Sequence, residues 1–136
     1  MAQPHYQENE AKILGFSREL LFEGVHMARV SLRKGETSTY HLHTKTSDVF
    51  FVMSGQLTIT VRVSSPERMT PYQSLPSTLC EIRRAANGEC IHRLRVNPGE
   101  VVVIQPGTVH CATNLYEAPC HFVCIEGVGD YDFVEA

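Results

Sequence analysis

His41 and His43 are separated by one residue in the stretch Ser38-Thr39-Tyr40-His41-Leu42-His43. On a helix two residues so spaced point in nearly opposite directions, whereas on a strand they share a face. The β-branched and aromatic neighbours favour a strand, so both imidazoles project side by side with Leu42 behind them. Asp48 follows after Thr44-Lys45-Thr46-Ser47, at the mouth of the apolar run Val49-Phe50-Phe51-Val52-Met53. A carboxylate there is expensive unless something compensates it. Two imidazoles and a carboxylate can hold a divalent transition metal and leave positions open for other ligands. The three residues alone leave a second reading open, a solvent-facing pair on an edge strand beside a turn aspartate.

The elements that must position these side chains read as strands. Val25–Arg33, Ser38–His43, Asp48–Met53, Leu57–Val63, Thr78–Arg84, Cys90–Val96, Val101–Gln105, Val109–Thr113 and Pro119–Glu126 are short and rich in β-branched or aromatic residues. Turn signals separate them, among them Lys34-Gly35, Ser54-Gly55, Asn87-Gly88 and Pro106-Gly107. Many short strands at such spacing predict a sandwich or barrel. Leu57–Val63 alternates cleanly, which gives one core face and one polar face. Asn87-Gly88 is the strongest hairpin signal. Ile13 to Phe22 has helix-like apolar spacing interrupted by Gly15, and its type is left undecided. Ser64 to Ser77, with three Pro and four Ser, reads as a long exposed loop.

Composition narrows the function. The chain has 136 residues, a formal charge of -3, seven His, five Cys and no Trp. One domain is expected at that length. The charge argues against binding nucleic acid through phosphate neutralisation. No apolar run approaches the ~20 residues of a membrane span, and no signal peptide is evident at the start. Five irregularly spaced Cys fit reduced thiols in a cytoplasm. Serine-hydrolase, dinucleotide-binding and P-loop motifs do not occur.

Spacing over a longer stretch adds a resemblance. Gly35, five residues, His41-x-His43, four residues, Asp48, six residues and Gly55 resemble the first motif of the cupin superfamily. Gly99, then Pro106-Gly107-Thr108-Val109-His110 and Asn114, resemble the second. The resemblance implies an all-β double-stranded β-helix (jelly-roll) barrel with a metal inside. It carries the metal ligands onto His41, His43, Asp48 and His110. Three imidazoles and a carboxylate leave room for waters or substrate on a six-coordinate ion, as in a catalytic site. Three departures stand out: Asp48 replaces the family's usual Glu, the second motif carries one extra residue after Gly99, and Gln56 to Pro98 is long. The expected division is an arm at 1–24 that packs on a dimer partner, a barrel at 25–128 and a tail at 129–136.

Other side chains have candidate roles beside that set. His26 shares parity with Ala28, Val30 and Leu32, so it faces inward as a core histidine or a pocket proton-transfer group. Tyr40 is the other candidate catalytic base. Arg83, Arg84, Arg93 and Arg95 around His92 read as a solvated face or, alternatively, an anion site. Cys111 points away from the metal face, and Cys120, His121 and Cys124 read as a buried strand ahead of a second zinc site. The function expected is a homodimeric cytoplasmic enzyme acting on a small organic molecule through one divalent ion (Fe, Mn, Zn, Ni or Cu). Dioxygenase chemistry or Lewis-acid isomerase, cyclase or lyase chemistry would fit. The alternative is a non-catalytic cupin that binds or senses a small ligand, with no nucleic-acid or membrane partner in either case.

Overall fold

Alternating burial along the strands closes two sheets around one core. The computed structural model describes residues 17–22, 25–64, 71–75, 79–128 and 132–136. Its strands are β1 (Ser17–Phe22), β2 (Val25–Leu32), β3 (His41–Leu42), β4 (Asp48–Ser54), β5 (Leu57–Val63) and β6 (Tyr72–Leu75), followed by β7 (Leu79–Arg84), β8 (Cys90–Val96), β9 (Val101–Ile104), β10 (Val109–Thr113), β11 (Cys120–Val128) and β12 (Val134–Glu135). One sheet runs β1-β2-β11-β4-β9-β6 and the other β12-β3-β10-β5-β8-β7, with antiparallel pairing throughout. This is a jelly roll.

Inward side chains at period two make the core. Val30, Leu32, Phe50, Val52 and Ile104 from the first sheet meet Leu57, Ile59, Val61, Leu94 and Val96 from the second. The β4–β5 turn depends on Gly55, which has φ +76°. A Cβ there would fall on the Pro119 carbonyl oxygen and 2.8 Å from the Cys120 Cα, so glycine is required twice over.

Backbone bonds join the two motif regions. Gly107 N–H donates to the His43 carbonyl at 2.7 Å, and Gly35 N–H to the Asn114 carbonyl at 2.8 Å. The buried Asn114 side chain donates to the carbonyls of Leu32 and Ala118 and accepts from Tyr116 N–H. The motif glycines and the asparagine are therefore scaffold, fixing the loops that carry the histidines.

Some elements differ from expectation. Residues 17–22 form a strand on β2, so the described part of the undecided segment is β rather than helical. The expected loop 64–77 contains β6, which among the described residues pairs with β9 alone, at the sheet edge. The strand expected over Ser38–His43 shortens to His41–Leu42.

Candidate metal centre

The shortened β3 still places its histidines. His41 stands opposite His110 in the β3–β10 register, and His43 lies one residue beyond the strand end. Asp48 opens β4 in the facing sheet. All four are buried, Asp48 to 2% exposure and His110 to 1%. One ligand atom from each lies within 4.8 Å of the others. The structure thus brings together the four residues that the motifs point to.

The tautomers decide what this cluster can bind. His41 Nδ1 donates to the Thr39 carbonyl at 2.7 Å, His43 Nδ1 to the Asp132 carbonyl at 2.7 Å and His110 Nδ1 to the Thr108 carbonyl at 2.8 Å. A carbonyl can only accept, so each Nδ1 carries the hydrogen and a neutral ring presents its Nε2 lone pair. Asp48 Oδ2 lies 3.2 Å from His43 Nε2 and 2.9 Å from His110 Nε2. Lone pairs facing an anionic oxygen repel unless a proton or a cation sits between them. Carbonyl-oriented imidazoles of this kind are what metal-binding histidines require. The donor set fits a divalent transition ion.

Without an ion, one proton does that work. Burial pulls His43 down, but the Asp48 hydrogen bond and charge, Glu126 and the Asp132 carbonyl outweigh it and raise its pKa to about 9. Burial, then the neighbouring His110, pushes His41 down to about 3. Burial pushes Asp48 up, yet the His110 and His43 rings against its Oδ2 hold it well below the usual carboxylate range.

Two groups outside the motifs complete the surroundings. Cys124 Sγ donates to Asp48 Oδ1 at 2.8 Å. Glu126, 1% exposed, places Oε2 4.0 Å from His43 Nε2. Their signal was present: Cys120, Phe122, Cys124 and Glu126 share one parity on β11, so a strand whose partners face the core must point its carboxylate there too. Residues beyond 131 also reach the site. Phe133 stacks on His41 with centroids 4.5 Å apart, and the Asp132 carboxylate accepts from Thr44 N–H and Thr44 Oγ1.

Beside the cluster is a cavity of about 30 Å³. Val30, Leu32, Phe50, Ala112 and Phe122 wall it, Ser38 lies at its margin, and His41, Asp48, Cys124 and Glu126 form its polar end. Tyr40 lies elsewhere, beside Cys111 and under the Arg62 guanidinium on the outer side of the second sheet. His26 has inward parity but is only half-buried, and it does not line the cavity. His92 turns inward, its Nδ1 2.6 Å from the Tyr72 hydroxyl, while Arg83, Arg84, Arg93 and Arg95 are exposed. Cys120 and Cys124 face inward, but His121 faces outward to the Ser31 hydroxyl, so these three do not converge.

The family model for cupins matches residues 17–129. The chain is a cupin. No curated protein matches it. Among solved structures, the cupin is similar to the Bacillus subtilis oxalate decarboxylase OxdC in its S161A form, at 18% identity and TM-score 0.57, over 83% of this chain and 24% of that one. It is similar to an oxalate oxidase bound to the substrate analogue glycolate, at 21% identity and TM-score 0.58, over 83% of this chain and 46% of that one. The cupin thus spans about a quarter and about half of these chains, and at such identity the likeness establishes the fold.

Proposed function

We propose that this cupin is a metal-dependent enzyme acting on a small organic molecule, with His41, His43, Asp48 and His110 as ligands to one divalent transition ion. The carrying observation is the shared tautomer: three Nδ1–H groups are spent on backbone carbonyls, leaving Nε2 lone pairs gathered at one carboxylate. The nitrogen and oxygen donors suit Fe, Mn, Zn, Ni or Cu. Manganese has the support that Mn(II) centers are named for the B. subtilis oxalate decarboxylase.

A divalent ion there supplies Lewis-acid polarisation of an oxygen-bearing substrate. Isomerase, cyclase or lyase chemistry is favoured over oxygenation by two neighbours. Glu126 offers a carboxylate on the same cavity to hold a transferred proton, and the Cys124 thiol sits where an oxygen-activating centre would oxidise it. None of the five cysteines is in a disulfide, which supports a cytoplasmic location. No helix is long and apolar enough to cross a membrane among the described residues. A homodimer is supported by an apolar outer face on the first sheet.

Elemental analysis of protein purified without air tests the ligand set. We expect about one ion per chain in the wild type and loss of it in H43A and H110A, both still folded by circular dichroism. Stoichiometric metal in folded H110A would remove His110 from the site. Oxygen consumption on small phenols or diketones would return the chemistry to the dioxygenase class.

A further inference from the structure

The outer face of the second sheet carries a groove that the metal centre does not use. Burial alternates along β8, so His92, Leu94 and Val96 face the core while Arg93 and Arg95 project outward together. In the strand register Arg93 lies beside Glu81 of β7, and Arg95 beside Thr58 of β5. A cavity of about 140 Å³ opens there, lined among the described residues by Thr58, Glu81, Arg93, Arg95, Leu115 and Tyr116. A second, of about 210 Å³, shares Glu81 and Arg93 with it and adds Arg83 and Ile91.

Charge in this groove is unbalanced. Arg62, on the same face, pairs with Glu89 at 3.2 Å, whereas Arg83, Arg93 and Arg95 make no ion pair among the described residues. Arg95 is steadied only by the Tyr116 ring, whose centroid lies 5.4 Å from its guanidinium carbon. Three guanidiniums thus face one carboxylate, and like charges at neighbouring outward positions repel unless an anion lies between them. A guanidinium presents a planar fork of donors that matches phosphate oxygens. A phosphate monoester brings three acceptor oxygens and a charge of roughly −1.5 to −2 at pH 7, which balances the excess, while a monocarboxylate leaves about half of it. The cavity of about 140 Å³ far exceeds the ~15 Å³ that one water needs, so it holds a phosphate and part of what carries it. Leu115, 49% exposed, supplies apolar surface beside the arginines.

We infer that this groove binds a small phosphate monoester, with Arg93 and Arg95 on the phosphate and Leu115 under the organic part. Glu81 opposes the ligand's charge and holds the affinity down. The groove lies on the opposite face of the sheet from the side chains of His41 and His110, so it stands whether or not the metal reading does.

The test titrates the full chain by calorimetry with phenyl phosphate, benzoate and inorganic phosphate. Phenyl phosphate should bind saturably below about 1 mM, about tenfold more tightly than benzoate and about threefold more tightly than inorganic phosphate. R93Q and R95Q should each weaken it about tenfold. R84Q removes the same charge from a residue that lines neither cavity, and should match the wild type within about twofold. E81Q removes the opposing carboxylate and should tighten binding about threefold, a gain that a damaged fold does not produce.

No saturable binding, or benzoate as tight as phenyl phosphate, would overturn the inference. So would an equal loss in R84Q, which would reduce the effect to net charge, or binding lost in H43A and kept in R93Q, which would place the anion at the histidines. Inorganic phosphate as tight as phenyl phosphate would overturn the ester. If R93Q or R95Q is unfolded by circular dichroism, the E81Q gain and the R84Q match decide.

Discussion

The hydrogen that each Nδ1 gives to a carbonyl makes the site's proton inventory readable. In the metal-free protein the His43 proton stands in for the ion, with a pKa raised from 6.5 to about 9. At pH 7 that proton must leave when an ion binds. Calorimetry in buffers of different ionisation enthalpy should show about one proton released per ion at pH 7, and release of none would place the metal elsewhere. Stability of the metal-free chain follows from the same shifts. The raised His43 pKa gives stability that is full below pH 6.5 and lost as pH rises to about 9, on the order of 3 kcal/mol. His41, lowered to about 3, acts oppositely, costing stability as pH falls below 6.5. Asp48, held low, adds to the acid loss. Urea midpoints of the metal-free protein should therefore peak near pH 6.5. Strand parity is local and paired His41 with His43 in the sequence, but it left a solvent-facing pair and a turn aspartate at Asp48 as a second reading. His110 needed the family resemblance. Glu126 obeyed the same parity, but a carboxylate near a strand end reads first as solvent-facing.

Elements at the sheet margins were the least legible. The central strands β5, β8 and β10 have the bounds expected of them because β-branched alternation and turn residues mark both ends. β6 hides in a Pro- and Ser-rich stretch, since an edge strand needs a partner on one side only and tolerates poor composition. β12 is two residues long, and nothing local announces it: Val134 and Glu135 become a strand only by pairing with Leu42 and His41. That pairing carries Asp132 and Phe133 onto the histidines. Deleting residues 132–136 removes the His43 Nδ1 acceptor and the ring over His41 while leaving both sheets otherwise intact. The expected outcome is metal affinity lowered by about 10–100-fold with an unchanged far-ultraviolet spectrum. Unaltered affinity would make this strand a cover without a part in ligand orientation. G55A probes the opposite end of the site strand. Positive φ and the Pro119 carbonyl together should cost about 1–3 kcal/mol in thermal denaturation.

At the scale of the whole molecule, the two faces of the first sheet are unexpectedly alike. An antiparallel sheet with one face on the core usually turns polar residues to water on the other. Here the outward positions of three adjacent strands are apolar: Ile125, Val49 and Val103 lie in one row, and Val123, Phe51 and Val101 in the next. Phe51 is 40% exposed and Met53 42%. Contiguous apolar rows of this kind are what protein interfaces use, and a second copy presents the same self-complementary patch. The outer face of the second sheet differs, with Arg93 and Arg95 exposed beside Glu81. Thr58 is buried there among Glu81, Arg93, Arg95 and Tyr116 although it points away from the core. Dimerisation through the first sheet would cover Phe51 and leave the metal centre's inward side chains untouched. Light scattering coupled to size exclusion should give a dimer for the wild type and a monomer for F51E, with metal content the same in both. A wild type that runs as a monomer at micromolar concentration, or an F51E dimer, would remove this face as the interface. A monomeric F51E that also loses its metal would instead tie the dimer to the integrity of the barrel itself.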